Sequence, residues 1–291
     1  MWALMRDDLP SVTGSLRRTN RLCACLPKNS VHLAATMFLK TWVMTVASLW
    51  LCGVCSEAEP VDRPGWKLTF HDEFDGSTLD LQKWTPNDPW GRERNVELQA
   101  YVKDAFVVTN GLLRVLAEKR EAFYAGKKRA YTSGMMTTYG KFSQQYGRFE
   151  IRCRVPKGKG MWPAFWLLPD PLGWPPEIDV LEILGHEPDK IYMTHHFRGE
   201  QRKRASSGGS WKGPDFSADF HEFAVEWSPE RIVWFVDGKE RFRSTKTIPQ
   251  TKMYLLVNLA VGGDWPGTPN ENTVFPSAFE VDYIRVYAPV Q

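Results

Sequence analysis

The sequence predicts an all-β fold in which two antiparallel sheets pack face to face as a sandwich. Short segments with apolar residues at every second position recur along the chain, and turn dipeptides such as Asn110-Gly111 and Gly262-Gly263 separate them. No segment keeps a helical period. Many short strands without intervening helices are typical of a two-sheet sandwich.

Five segments have the clearest strand pattern, because alternate apolar side chains can cover one face of a sheet. In chain order they are Trp66–Phe70, Phe149–Val155, Phe223–Trp227, Ile232–Val236 and Phe279–Tyr287. Asp237-Gly238 follows the fourth segment and precedes the alternating residues Lys239–Phe242. This dipeptide predicts a hairpin with a type I′ turn.

The length and charge of the chain favour a single large β domain that spans residues 59–291. The chain has 291 residues, of which 43% are hydrophobic and 24% charged, and its formal net charge is +3. We find no internal repeat and no linker rich in proline or serine. The weak charge and the scattered basic residues argue against a nucleic-acid partner. A monomer is the default expectation.

Residues 37–58 resemble a secretory signal peptide. One positive charge precedes the apolar segment Trp42–Val54, and Ser56 and Ala58 are the small residues that a signal peptidase reads. The apolar segment is too short for a comfortable membrane span. A lipoprotein anchor on Cys52 or Cys55 is the alternative. We expect a secreted protein, extracellular or periplasmic, with no membrane contact after signal cleavage.

Residues 1–36 precede a plausible start at Met37, and we interpret them as a non-native or disordered N-terminal extension. A translation start placed too early explains them, and an unusually long leader is the alternative. Four of the five cysteines precede the predicted cleavage site, so the exported domain keeps Cys153 alone. One thiol forms no internal disulfide, and we expect a buried side chain there.

Three acids lie in the apolar run Pro175–Gly185. Glu177 and Asp179 share one face of a strand, whereas simple alternation sends Glu182 to the other face. In one interpretation Glu182 faces solvent and the other two acids form salt bridges. In the other, a β-bulge between Asp179 and Glu182 returns Glu182 to the shared face, and bulges are common beside active sites.

Aromatic residues around these acids favour the second interpretation. Met161–Trp166 and Trp174 precede the acids, and Thr194–Phe197 follows on the next expected strand. Aromatic rings stack on sugar faces, and a retaining glycosidase needs two carboxyl groups about 5–5.5 Å apart. The pattern therefore predicts a sugar-cleaving site and a bulge.

Glu177–Glu182 resembles the E-x-D-x-x-E motif of glycoside hydrolase family 16. Further segments, in the same order along the chain, resemble its laminarinase-type branch: His71–Gly76, Asn95–Gln99, Thr132–Gly134, Tyr146–Glu150, Gly158–Trp166, Asn258–Pro266 and Val281–Tyr287. The resemblance implies a concanavalin-like β-jelly-roll sandwich with a glycan cleft across its concave sheet. It also implies that Glu177 is the nucleophile, that Glu182 is the acid and then the base, and that Asp179 sets their protonation.

The resemblance also implies residues that bind the substrate. The candidates are Asn95, Glu97, Trp162, Trp166, Trp174, His196 and Trp265. Asn95 and Glu97 resemble part of a polar strand that reaches the negative subsites, and each tryptophan could instead belong to the core. Of two adjacent histidines, His196 matches the family position near the acid/base, and His195 should point to the opposite face.

No cofactor for catalysis is implied, but family members often hold a structural calcium ion far from the acids. By matched position its ligands are Glu73, the main-chain oxygen of Gly111, and Asp282. Oxygen ligands suit this cation. The alternative is that these are ordinary surface acids.

The resemblance implies a retaining endo-glycosidase acting on β-1,3- or mixed β-1,3/1,4-glucan. The residues after Glu182 differ from those at the same place in many laminarinases. Another polysaccharide, such as an agarose- or carrageenan-type galactan, is therefore the alternative substrate. A sandwich that only binds carbohydrate is the alternative from a different class, although such a module has no need for three clustered acids.

Overall fold

A computed structural model describes residues 63–290, and their regular structure is almost entirely β. The predicted extension and signal peptide lie outside the described residues. One short 3₁₀ turn, Glu200–Arg202, is the helical element of this region. The strands are β1 (Trp66–Asp72), β2 (Gln99–Tyr101), β3 (Phe106–Val108), β4 (Leu113–Ala117), β5 (Ala122–Tyr124), β6 (Lys127–Arg129), β7 (Tyr131–Ser133), β8 (Met135–Thr137), β9 (Gly147–Arg154), β10 (Met161–Pro169), β11 (Glu177–Ile183), β12 (Lys190–Arg198), β13 (Arg204–Lys212), β14 (His221–Trp227), β15 (Ile232–Val236), β16 (Lys239–Ser244), β17 (Met253–Val261) and β18 (Ser277–Pro289).

Two large antiparallel sheets contain most of these strands, which confirms the predicted sandwich. The first has eight strands in the order β16-β15-β14-β9-β18-β4-β3, and β1 also pairs with β18. The second has six strands in the order β13-β12-β11-β10-β17-β8. Two small pairs, β2 with β7 and β5 with β6, complete the regular structure.

The main core fills the space between the two large sheets, and all five predicted strand segments contribute to it. β17 has no alternation to detect, because every residue from Met253 to Val261 is buried. Leu255 and Leu259 face the main core, whereas Tyr254 and Leu256 join a second apolar cluster on the other side of the sheet. This second cluster supports the floor of the site described below.

The predicted hairpin joins β15 to β16. Asp237 and Gly238 have φ angles of 49° and 71°. Two successive positive φ angles are what a type I′ turn requires, so this prediction is confirmed.

Arg148 lies on the eight-stranded sheet, away from β11. Its guanidinium contacts the carboxylates of Glu150, Glu222 and Glu226 at 2.8, 2.7 and 3.0 Å. It is therefore part of a buried ion network and not of the acid cluster. Cys153 is a buried free thiol on the same sheet. Within residues 63–290 no helix has the length and apolar character to cross a membrane.

Candidate active site

A β-bulge in β11 determines where the acids lie. Asp179 pairs with Thr194 of β12, but Glu182 pairs with Tyr192, so three steps on β11 match two on β12. The register against β10 shifts in the same place. Because residues two apart on β12 share a face, Glu182 and Asp179 lie on the same face. The predicted bulge is confirmed.

The two residues inside the bulge explain how the strand accommodates the extra position. Val180 and Leu181 are both buried in the main core. Adjacent residues of a regular strand would point to opposite faces. Pointing both side chains inward leaves Glu182 on the outer face of the six-stranded sheet, where its Oε1 accepts a hydrogen bond from Trp162 Nε1 at 3.2 Å.

Glu177 and Asp179 share His196 as a neighbour, and Trp174 contacts Glu177. Trp174 Nε1 donates a hydrogen bond to Glu177 Oε2 at 2.9 Å. His196 Nε2 lies 3.6 Å from Glu177 Oε1 and 3.3 Å from Asp179 Oδ2. The indole thus fixes the orientation of Glu177, and the imidazole lies beside both carboxyl groups.

Burial in a crowded group of acids perturbs all three carboxyl groups. It raises the pKa of Glu177 to about 8, with a further increase from Asp179, while His196 and Trp174 oppose the increase. Burial also raises the pKa of Asp179. Burial, Asp179 and Glu177 together raise the pKa of Glu182 well above its usual range. The hydrogen bond from Trp174 and the charge of His196 favour the ionised form of Glu177, which is the form that a nucleophile requires.

An aromatic wall borders Glu182. The rings of Trp162 and Trp265 meet edge to face at 5.3 Å, and Tyr192 meets Trp265 at 4.7 Å. Trp265 is 39% exposed, which leaves much of its indole surface open to a ligand. We call Trp162, Tyr192 and Trp265 the Glu182-side wall.

A second aromatic group lies toward Glu177. Trp166 Nε1 donates to Asn258 Oδ1 at 2.8 Å, and the ring of Trp166 stacks with that of Trp90 at 6.1 Å. The guanidinium of Arg94 lies 4.7 Å from the centre of the Trp90 ring. Arg94 also lowers the pKa of Glu177 through its charge, after the larger effects of burial, Asp179, His196 and Trp174, so this group approaches the acids.

Asn95 and Glu97 lie in the irregular loop before β2, not on a strand as predicted. Asn95 Nδ2, Gln99 Nε2 and the Tyr101 hydroxyl all donate to the Glu97 carboxylate, at 3.2, 2.7 and 3.2 Å. The loop is irregular because Asn95 and the following Val96 both have positive φ angles, which no strand accommodates. Glu97 is buried and organises its neighbours, while direct contact with substrate stays a prediction for both residues.

His195 occupies the opposite face of β12. It is fully buried beside Phe197, at a ring distance of 5.0 Å, and burial lowers its pKa to about 4. A neutral imidazole in the core fits the expectation that His195 points away from the acids.

A protein family of known chemistry matches the part of the chain that contains these acids and aromatic groups. The model of the family "Glycosyl hydrolases family 16" matches residues 94–285. The chain belongs to glycosyl hydrolase family 16. It is therefore a glycoside hydrolase, as the E-x-D-x-x-E motif predicts.

Individual members of family 16 resemble the chain over most of its length. A beta-glucanase of Rhodothermus marinus is 38% identical over 82% of this chain and 91% of its own length. The endo-1,3-1,4-beta-glycanase EglC of Rhizobium meliloti is 36% identical over 78% of this chain and 53% of that longer protein. The laminarinase catalytic domain of Thermotoga maritima is similar in structure, with a TM-score of 0.70 and 37% identity over 78% of this chain and 99% of that domain. The fold is accordingly the jelly-roll sandwich of the family.

Four cleft residues of this family 16 chain escaped the sequence interpretation: Trp90, Arg94, Tyr192 and Asn258. Tyr192 was detectable, because it is four residues before His196 and shares its face by alternation. Asn258 lies in a segment that resembles the family, but on a fully buried strand that shows no face. Trp90 and Arg94 lie in an irregular loop, where no sequence period predicts which way a side chain points.

The residues predicted to hold calcium have cationic partners. Arg285 contacts both oxygens of Glu73 at 2.9 and 2.7 Å, and Arg152 pairs with Asp282. Gly111 has a φ of +67° in the turn before β4. These oxygen ligands are of the right type for calcium, but an ion would have to compete with two guanidinium groups. The calcium site stays a prediction.

One group of three or more histidine and acidic side chains within residues 63–290 brings its donor atoms within 4.8 Å of one another, and it consists of Glu177, Asp179 and His196. This group is the acid cluster itself.

Proposed function

We propose that this family 16 protein is a secreted, retaining endo-β-glucanase that cleaves β-1,3- or mixed β-1,3/1,4-glucans. The observation that supports this most strongly is the bulge in β11, which aligns Glu177, Asp179 and Glu182 on one face between two aromatic groups. A binding module would gain nothing from crowding three poorly solvated carboxyl groups on one face, because the charged form of each is unfavourable there.

The first half of the proposed reaction forms a covalent glycosyl-enzyme. The Glu177 carboxylate attacks the anomeric carbon, and the bond from that carbon to the glycosidic oxygen breaks. Glu182 gives its proton to the departing oxygen, so the leaving sugar departs as a neutral alcohol. The raised pKa of Glu182 keeps that proton available at neutral pH.

The second half hydrolyses the intermediate. Glu182, now a carboxylate, takes a proton from water, and the water oxygen attacks the same carbon and releases Glu177. Two inversions give net retention. Asp179 and His196 keep Glu177 oriented through both steps, since His196 Nε2 lies within 3.6 Å of both carboxyl groups.

Endo cleavage suits the aromatic groups on both sides of the acids. Trp162, Tyr192 and Trp265 can receive sugars on the Glu182 side, and Trp90 and Trp166 can do so toward Glu177. The β-glucan substrate is supported by the similar beta-glucanase, endo-1,3-1,4-beta-glycanase and laminarinase.

The test is the release of reducing ends from laminarin, barley β-glucan, lichenan, agarose and carrageenan. We expect activity on laminarin or on the mixed-linkage glucans, and Glu182→Gln should lose at least about 10³-fold in kcat because it cannot donate or accept the proton. Activity confined to agarose or carrageenan would replace the glucan substrate by a galactan. Binding without new reducing ends would contradict the proposed catalysis.

Export is proposed from the signal-peptide pattern at residues 37–58. Expression in a host with a secretory pathway should yield an exported protein that begins near Glu59, as mass spectrometry of the intact chain can measure. Retention of a lipid on Cys52 or Cys55 would contradict this and favour the lipoprotein alternative.

A further inference from the structure

The loop that connects Trp90 to Glu97 has a strained backbone. Asn95 and Val96 are successive non-glycine residues with φ angles of 50° and 56°. A β-branched residue at positive φ is an outlier, and such conformations cost about 1–3 kcal/mol each and persist only where the surroundings hold them. Val96 is 55% exposed, so its own packing does not explain the conformation.

The connection after β17 holds one side of this loop. The backbone nitrogen of Asp264 donates to the Asn95 carbonyl at 2.9 Å, and that of Leu98 donates to the Val261 carbonyl at 2.8 Å. A Cβ on Gly263 would lie 2.8 Å from the Asn95 carbonyl oxygen. Only glycine therefore permits this close approach.

The β5–β6 hairpin, Ala122–Arg129, holds the other side. Arg129 donates from one guanidinium nitrogen to the Glu97 carbonyl at 3.1 Å, and its other nitrogen pairs with the Glu93 carboxylate. Lys127 Nζ contacts the same carboxylate at 3.0 Å. The side chain of Arg129 is only 10% exposed, which strengthens these contacts relative to a surface pair.

A second line of contacts runs from the hairpin to the aromatic group. The Tyr124 hydroxyl donates to Asp88, and Asp88 accepts from Arg94 at 3.0 Å. Arg94 in turn lies over the ring of Trp90, which stacks with Trp166 in the cleft. The hairpin thus fixes both ends of the loop.

The opposite side of the hairpin makes no such contacts with the loop. Phe123 is 81% exposed, and Lys128 is 58% exposed and pairs with Glu121. Because strand residues alternate, Tyr124 and Arg129 face the loop while Phe123 and Lys128 face away. An isolated two-stranded hairpin is marginally stable, so its contacts with the loop also order the hairpin.

We propose that the β5–β6 hairpin determines how tightly the enzyme binds the part of the glucan chain on the Glu177 side, by holding the Trp90–Glu97 loop in its binding conformation. Arg129 is its principal positioning residue. It touches none of the three acids, and it acts through Glu93 and the Glu97 carbonyl. This inference rests on the proposed glucanase function.

The test compares Arg129→Met with Lys128→Met, a matched change on the other face of the same hairpin. On laminarin, Arg129→Met should raise KM about tenfold, the loss expected for charged hydrogen bonds, and leave kcat within about twofold. Lys128→Met should leave both constants unchanged. Equal KM values for the two variants, or a loss confined to kcat in Arg129→Met, would overturn the proposal.

Two further measurements separate positioning from a general loss of structure and from failure of the glucan assignment. Arg129→Lys keeps the charge near Glu93 and should recover part of the KM loss. Hydrogen exchange of residues 88–98, measured without substrate, should become faster in Arg129→Met, while exchange in β10 and β17 stays unchanged. If no glucan is cleaved, the exchange result still decides whether the hairpin orders the loop. Unchanged exchange would refute that role independently of substrate.

Discussion

The three acids Glu177, Asp179 and Glu182 are proposed to serve catalysis, and they also lower the stability of the folded protein. Asp179 is buried, Glu177 and Glu182 are half-buried close to it, and the pKa of each is raised. A raised carboxyl pKa contributes stability that is present below the unfolded value of about 4.3 and is lost as pH rises through the folded value. The folded state therefore carries its largest electrostatic cost near and above neutral pH.

Glu182→Gln should accordingly stabilise the protein at pH 7. Glutamine keeps the shape of the side chain but does not ionise, so we expect Tm to rise by about 3–6 °C at pH 7 and by much less at pH 4. Thermal unfolding at both pH values measures this. The exposed Glu271→Gln is the control and should leave Tm unchanged at either pH. A stabilisation of equal size at both pH values would contradict the electrostatic explanation.

Two indole donors should act on opposite sides of the pH profile. Trp174 donates to Glu177, so Trp174→Phe raises the pKa of Glu177 and moves the acidic limb of kcat/KM to higher pH. Trp162 donates to Glu182, so Trp162→Phe should move the alkaline limb to higher pH instead. Both profiles can be recorded on laminarin. Identical shifts in the two variants would contradict the separate roles of Glu177 and Glu182.

Among the structural elements, the bulge in β11 was predictable and the loop before β2 was not. Three acids at spacings of two and three residues can share one face only if the strand has an extra residue between the second and the third. The spacing itself therefore predicts the bulge. The Trp90–Glu97 loop follows no period, and its conformation depends on distant partners such as Arg129 and Gly263. Sequence therefore identified the acids and Trp166, but not Trp90 and Arg94 beside them.

Deleting Leu181 tests the bulge. The shortened strand regains simple alternation, and its last acid still lies opposite Tyr192 on the shared face, because the bulge already sets three steps of β11 against two of β12. We therefore expect the single deletion to keep kcat within about tenfold. Deleting Val180 together with Leu181 makes the acid adjacent to Asp179 and sends it to the opposite face, so kcat should fall at least about 10³-fold. Leu181→Ala keeps the bulge and should lower stability by about 2–5 kcal/mol while retaining most of kcat. Full activity in the double deletion would show that Glu182 does not need to share a face with Glu177.

For the molecule as a whole, alternation correctly predicted the all-β sandwich, since each of the five predicted segments coincides with a strand of the large sheets, with Val155 one residue beyond the end of β9. The strand order could not be obtained this way. β9 pairs with β14 and β18, which are far from it in sequence, and β17 is buried on both faces. Such pairings depend on which apolar faces meet in three dimensions, and local patterns do not record that.

Calcium removal should have a small effect on the whole domain. Arg285 and Arg152 already neutralise Glu73 and Asp282, so we expect excess EDTA to change Tm by less than about 3 °C, which is about 1 kcal/mol for a domain of this size. The same treatment should leave kcat unchanged, because these residues are separate from the acid cluster. A larger fall in Tm that calcium restores, and that Asp282→Asn abolishes, would show that the ion is a major part of the structure.

The most direct measurement for the mechanism is the anomeric form of the first reducing ends, followed by proton NMR during rapid hydrolysis of laminarin. Glu177 as nucleophile and Glu182 as acid and base require two displacements at the anomeric carbon. The β-anomer should therefore appear first, and the α-anomer should grow in later by mutarotation. Initial release of the α-anomer would mean a single displacement and would contradict the assigned role of Glu177.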